Sequence, residues 1–184
     1  MKISQWRLRQ ALHTLNGGGV IAYPTEAVYG LGCDPMDEEA VQRILSLKQR
    51  PIEKGMILVA ADFNQLQDFI LPVSADLLAE LEKTWPGHVT WLLPVRSDVP
   101  EFLTGAHDTL AVRVTAHPQT AALCRAFGGP IVSTSANISG LRPARNSHQV
   151  HWQLPEVDYV MPGACGGALQ PSTIRDARTG EVLR

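Results

Sequence analysis

Apolar positions fall along this chain in two alternating rhythms, one suited to helices and the other to strands. Behind Ser4, a good N-cap, Ile3, Trp6, Ala11, Leu12 and Leu15 roughly follow helical spacing, and Gly17-Gly18-Gly19 ends the run. Val20-Ile21-Ala22-Tyr23 reads as a buried strand stopped by Pro24. Asp37 caps a second predicted helix, whose stripe Val41, Ile44 and Leu45 continues into Lys48 and so places an ammonium in line with a packed face. Residues 56–60, 89–95 and 110–114 read as further strands, and Ser74 opens a helix carrying Leu77, Leu78 and Leu81. His117-Pro118 starts another helix with proline at its first position, and Ile131-Val132-Ser133 is the next strand. Residues 172–176 and 181–184 flank a loop containing Gly180 and predict a β-hairpin. No internal repeat or linker interrupts this order, so the expected class is α/β, a twisted mixed parallel and antiparallel sheet with helices packed on it.

Length and composition narrow the setting. At 184 residues the chain is expected to form one domain, 1–184, large enough to bury about 70% of its unfolded surface. Hydrophobic residues at 45% and charged residues at 18% suit a globular enzyme and argue against disorder or a coiled coil. No apolar run approaches the ~20 residues of a membrane span, and Met1-Lys2-Ile3-Ser4-Gln5-Trp6-Arg7 lacks a signal-peptide core, so a cytosolic protein without membrane attachment is expected. Cys33, Cys124 and Cys165 are scattered and odd in number, as befits free thiols in a reducing compartment. A net charge of −2 provides no global basic field, so nucleic-acid binding would need a local patch.

Several standard chemistries lack their motifs. There is no GxxxxGK[ST] phosphate loop, and Gly30-Leu31-Gly32 lacks the third glycine of a dinucleotide fingerprint. His148 and His151 read as a surface pair, so no protein-held metal is assigned. No serine lies in GxSxG or Ser-x-x-Lys context, which leaves covalent catalysis without a nucleophile. Asp34, Asp37, Glu38 and Glu39 are accounted for by the positive end of the second helix.

Two short segments carry the candidate chemistry. Lys48-Gln49-Arg50-Pro51 sits where a helix ends, and the window from Arg43 to Lys54 holds four cations (Arg43, Lys48, Arg50, Lys54) against one acid, Glu53. A planar guanidinium beside a mobile ammonium can neutralise charge spread over phosphate oxygens during phosphoryl or nucleotidyl transfer. Ser133-Thr134-Ser135-Ala136-Asn137 follows an apolar strand, at the carboxyl end where open α/β folds collect ligands. Arg113 interrupts the strand 110–114 and, if half buried, requires a partner: Asp108, Asp176 or a ligand carboxylate.

Pro24-Thr25-Glu26-Ala27-Val28-Tyr29-Gly30-Leu31-Gly32, then Lys48-Gln49-Arg50-Pro51 and Lys54-Gly55, then Ala111-Val112-Arg113-Val114, then residues 133–140, then Ser172-Thr173-Ile174-Arg175-Asp176 occur here in register. In this order they make the whole chain resemble the YrdC-like family, its short bacterial branch most closely. The resemblance implies a twisted α/β fold with a concave basic face. It also implies a reaction that joins L-threonine, bicarbonate and ATP into threonylcarbamoyl-adenylate and pyrophosphate, with Mg²⁺ accompanying ATP. A partner threonylcarbamoyl-transferase complex would then modify the adenosine beside a tRNA anticodon. Carried over by position, Lys48 and Arg50 would be catalytic and hold phosphates, with Lys54, Thr109, Ser135, Asn137 and Arg184 also binding nucleotide. Thr25, Arg113, Ser133 and Ser172 would form the threonine pocket. Val59 stands where longer relatives carry histidine, so no role is assigned to it. Weak tRNA or double-stranded RNA binding is a further expected partner interaction; an RNA-binding or ribosome-assembly protein using the same concave basic face is the alternative from another class, and carbamoyl-adenylate chemistry on another amine is the alternative within this one. The stretch 163–171, which opens with the small-residue run 163–168 and leads into Ser172, is read either as a lid that is mobile when empty and orders when threonine and ATP bind, or as a passive surface connection.

Overall fold

The structure is a computed structural model and describes residues 4–183, so the expectations for Ile3 and Arg184 lie outside the described residues. Helix α1 (Gln5–Asn16) follows Ser4, which is extended but makes no side-chain capping bond. Ala11 and Leu15 are buried, whereas Trp6 is 64% exposed, because the helix meets its neighbours only from the turn of Leu8 and Ala11 onward.

β1 (Ile21–Pro24) and β2 (Tyr29–Gly32) form an antiparallel hairpin with Ile21 opposite Gly32 and Pro24 opposite Tyr29. β2 escapes the sequence pattern because both its faces are buried and two of its four residues are glycine, so no alternation marks it. Helix α2 (Glu38–Lys48) starts where Asp37 accepts a bond from the Ala40 amide at 3.0 Å and buries Ala40, Val41, Ile44, Leu45 and Lys48 on one face, as the stripe predicts. It ends because Gln49 turns left-handed (φ 50°) and Pro51 cannot continue it.

β3 (Ile57–Ala60) is followed by α3 (Ala75–Glu82), whose cap Ser74 accepts from the Leu77 amide at 3.2 Å. Then come β4 (Val89–Pro94), the short α4 (Glu101–Thr104), β5 (Thr109–Val114), α5 (Pro118–Phe127), β6 (Ile131–Val132), β7 (Thr134–Ser135), α6 (Ser147–Gln153), β8 (Tyr159–Val160) and β9 (Thr173–Asp176). The terminal hairpin is present: the Asp176 amide donates to Glu181 O at 2.9 Å and the Leu183 amide to Ile174 O at 2.8 Å.

The strands divide into two mixed sheets, ordered β7-β2-β1-β8 and β6-β3-β5-β4-β9. Residues 131–135 belong to both, since β6 pairs with β3 in one sheet and β7 with β2 in the other. Ser133 sits at this crossing, its amide donating to Ile57 O at 2.7 Å. Close approach of the sheets is enforced at Gly32, where a Cβ would lie 2.4 Å from Val132 O and 2.8 Å from the Tyr23 ring. The Tyr23 hydroxyl donates to the same carbonyl at 3.1 Å, and burial pushes its pKa far up, which keeps it a neutral donor.

Gly32→Ala should therefore force two sheets apart. Overpacking against backbone predicts a loss of about 2 kcal/mol or more, a fall in Tm of about 4–8 °C, read by thermal and urea unfolding; an unchanged Tm would show that the junction is compliant.

Candidate functional site

Strand period positions most of the site. In β5 Leu110, Val112 and Val114 point into the core, while Thr109, Ala111 and Arg113 face the opposite way and line a cleft of about 430 Å³. Leu92, Ile57 and Ile174 from the neighbouring strands complete that wall. The other wall comes from the first sheet and its loops, including Thr25, Gly30, Ser133, Thr134 and Ser135, and the mouth carries Arg50, Lys54 and His107. Among the described residues lining the cleft there is no Asp or Glu. Its charged side chains are cations, and it is thus fitted to anions.

The sequence-predicted residues largely converge here. Thr25, Arg50, Lys54, Thr109, Arg113, Ser133, Ser135 and Ser172 all line the cleft. Thr25 and Ser172 are anchored, the first by donating to Val28 O at 2.7 Å and the second by a 2.9 Å bond to the Thr90 hydroxyl. Arg50 donates to Gly55 O at 2.9 Å and Lys54 O at 3.3 Å, which folds the 50–55 turn around its guanidinium.

Lys48 and Asn137 are placed differently. Lys48 is 2% exposed and does not line the cleft; its ammonium donates to Ser135 O, to Asn137 O at 2.9 Å and to Asn137 Oδ1 at 3.3 Å. Asn137 Oδ1 also accepts from the Ser135 hydroxyl at 2.6 Å, while its amide nitrogen donates to Ile138 O and Leu141 O, each at 2.8 Å. Burial, with the Arg50 cation adding to it, lowers the Lys48 pKa to about 8.

Arg113 is 6% exposed, and both sequence candidates for its partner fail: Asp108 and Asp176 pair with Arg178 instead, at 2.8 and 3.4 Å. The partner is Glu26, whose Oε2 lies 3.6 Å from Arg113 Nη2. Glu26 Oε1 accepts from the Thr115 hydroxyl at 2.6 Å and the Ala116 amide at 3.0 Å. Burial raises the Glu26 pKa, but Arg113 and the Thr115 bond outweigh it and hold the carboxyl below its usual range. Arg113 Nε and Glu26 Oε2 are buried without a hydrogen-bond partner.

Glu26 and His88 are the residues that sequence reasoning missed. A charge inside the mostly apolar run after Pro24 was the available signal for Glu26; His88 had none, since it reaches the cleft only through the pairing of β4 with β9. Val59, at 0% exposure, belongs to the core. The 163–168 run is tied to the first sheet and its loop by backbone hydrogen bonds. The Gly163 amide accepts no slack: it donates to the Tyr29 hydroxyl at 3.0 Å, and the Gly166 and Ala168 amides donate to Thr25 O and Glu26 O at 3.0 and 2.9 Å. Small residues here serve close approach, because a Cβ on Gly163 would lie 2.7 Å from the Pro24 ring.

A pH effect follows from Lys48. Its folded pKa of about 8 lies below the ordinary 10.5, so between these values the unfolded chain holds a proton that the folded one lacks. Stability contributed through this group must rise with pH in that window. In urea titrations at pH 8 and pH 10, wild type should gain stability relative to Lys48→Met; an unchanged difference would mean the ammonium stays charged throughout.

The chain as a whole is similar to known proteins. The Sua5/YciO/YrdC family model, described as telomere recombination, matches residues 13–184. A Nitrosococcus oceani protein named threonylcarbamoyl-AMP synthase is 56% identical over the full length of both chains, and one from Methylococcus capsulatus with the same name is 52% identical over 99% of this chain and 98% of that one. The crystal structure of P. abyssi Sua5 complexed with L-threonine superposes with a TM-score of 0.93 at 33% identity, all of this chain covering 55% of the Sua5 chain. E. coli YciO gives 0.86 at 29% identity, over 98% of this chain and 89% of its own. With a full-length match in sequence and the same strand arrangement, the chain belongs to the Sua5/YciO/YrdC family.

Proposed function

We propose that this chain is a threonylcarbamoyl-AMP synthase, a nucleotidyltransferase that converts L-threonine, bicarbonate and ATP into threonylcarbamoyl-adenylate and pyrophosphate. The observation that carries the reading is the carboxylate-free cleft with the buried guanidinium of Arg113 in one wall and Arg50 and Lys54 at its mouth. Full-length relatives at 50–56% identity bearing that name support it.

The chemistry suits these groups. A carbamate made from threonine and bicarbonate is already an anionic nucleophile. Its oxygen attacks the α-phosphorus, a new P–O bond forms, and the bond to the β-phosphate oxygen breaks with pyrophosphate leaving. Bringing two anions together needs charge neutralisation and alignment more than a general base. Arg113 would receive the threonine carboxylate, with Thr25, Ser133 and Ser172 around the rest of the amino acid. Arg50 and Lys54 would hold phosphates, and Thr109 and Ser135 the nucleoside. Lys48 and Asn137 would act through the 135–137 loop they brace, Lys48 by holding the carbonyls and Asn137 by holding the Ser135 hydroxyl. Arg184 lies outside the described residues. Mg²⁺ would be held by ATP phosphates and water, in keeping with the absence of Asp or Glu among the described residues lining the cleft.

Residues 1–184 would act as one domain in the cytosol, passing the adenylate to a threonylcarbamoyl-transferase complex that modifies tRNA. No helix among the described residues is long and apolar enough to cross a membrane.

Pyrophosphate release should require ATP, Mg²⁺, bicarbonate and threonine together, and Arg50→Ala should lower it by about 100-fold or more. Near-normal turnover in folded Arg50→Ala would remove that residue from phosphate binding. Serine, lacking one methyl, should fall about 10- to 200-fold in kcat/KM. Valine should fall further if a buried polar group reads the hydroxyl; equal rates with valine would favour another amine as substrate.

A further inference from the structure

His88 lies just before β4, lines the cleft, and touches two things at once. Its Nδ1 is 3.4 Å from Arg113 Nη1, and its Nε2 is 2.8 Å from the carbonyl oxygen of Gln170. The chemistry of the neighbours dictates the ring's proton. A carbonyl oxygen only accepts, so Nε2 must carry hydrogen; a guanidinium only donates, so Nδ1 must offer its lone pair. Both bonds coexist only in the neutral imidazole with its proton on Nε2. Protonation would turn Nδ1 into a donor aimed at a cation.

We propose that His88 is a positioning residue, a neutral bridge that holds Arg113 in its carboxylate-binding orientation and ties it to the Gln170–Ser172 segment, so that the cleft's affinity for an amino-acid carboxylate falls when His88 is protonated. The bridge joins parts that the chain separates widely. Arg113 is on β5, and Gln170 is two residues before Ser172, whose hydroxyl pairs with Thr90 two residues beyond His88. The parallel register that places Val89 opposite Thr173 sets these side by side. Arg113 is thereby held from two sides, by Glu26 at 3.6 Å on one Nη and by His88 on the other. The guanidinium thus has a fixed plane before any ligand arrives.

The groups around His88 set the sign of the effect. Arg113 faces it from β5, Glu26 from the β1–β2 turn behind Arg113, and Arg50, Lys54 and His107 share the cleft, while the Arg175 guanidinium on β9 lies 5.7 Å over the Trp91 ring. Cations outnumber the one acid, and that acid is engaged by Arg113, Thr115 and Ala116. A second positive charge on His88 meets repulsion from Arg113, which would then be held only by its contact with Glu26 and lose its fixed plane. The carboxylate of free threonine stays ionised and its ammonium protonated between pH 6 and pH 8, so a change in affinity over that range reports on the protein.

The inference rests on threonine as the cleft's ligand, so the test separates the two. Long-range ¹⁵N–¹H spectra of histidine-labelled protein without ligand, at pH 8, should show His88 with its proton on Nε2, the signal being assigned by its loss in His88→Asn. A proton on Nδ1 would overturn the bridge whatever the substrate. Calorimetric titration with L-threonine in the absence of ATP should give a Kd about tenfold weaker at pH 6 than at pH 8. His88→Asn, which keeps an uncharged acceptor near the Nδ1 position, should bind within about threefold of wild type at pH 8 and lose the pH dependence; His88→Ala should bind about tenfold more weakly at pH 8. A wild-type Kd that does not change with pH, or the same change in His88→Asn, would overturn the gating. With the proton on Nε2 but no threonine binding at either pH, the substrate reading falls and the bridge to Arg113 stands.

Discussion

The buried ammonium of Lys48 is the contact on which the site's geometry depends. It terminates a helix whose other inward residues are apolar, and it spends its hydrogens on the carbonyls of Ser135 and Asn137 and on the Asn137 side chain. Those acceptors belong to the segment that has just crossed from one sheet to the other at Ser133. One charge thereby pins α2, β7 and the following loop together, next to the cleft lined by Ser133 and Ser135. Burying an ammonium is costly unless its donors are satisfied. The return here is a loop held by directional bonds, which an apolar side chain could not supply.

From this junction the rest of the cleft follows by strand period. β5 shows the logic in six residues: Leu110, Val112 and Val114 build the core, and Thr109, Ala111 and Arg113 build the cleft wall. The wall can carry a charge because Glu26 and His88 meet it from behind and beside, and because Ala111 is small enough to leave room. Thr25 and Ser172 reach the same space from residues far apart in the chain, each fixed by a hydrogen bond of its own.

How much of this could be read from the chain follows the range of each interaction. Local signals worked: the Asp37 and Ser74 caps, the Pro118 start and the stripe running into Lys48 all appear as read. β2 did not, because a strand buried on both faces and half glycine has no period to detect. Trp6 was misplaced since helical spacing says which residues share a face, not which turn of the helix meets a neighbour. At the site, residue types and order were legible, but partnership was not: Asp108 and Asp176 are near Arg113 in sequence or strand, yet the pairing that forms is with Glu26, fixed by a sheet arrangement that no short window contains.

The Glu26–Arg113 pair also explains why a stable fold would keep a poorly completed ion pair. At 3.6 Å, with Arg113 Nε and Glu26 Oε2 lacking hydrogen-bond partners, it gives less than a close bidentate pair would give. On the reading proposed above, a carboxylate reaching Arg113 would add a charge-assisted bond to a guanidinium already held in place. Glu26 supplies orientation and compensates the charge, and the distance leaves capacity unspent. Such binding would stabilise the folded chain by mass action.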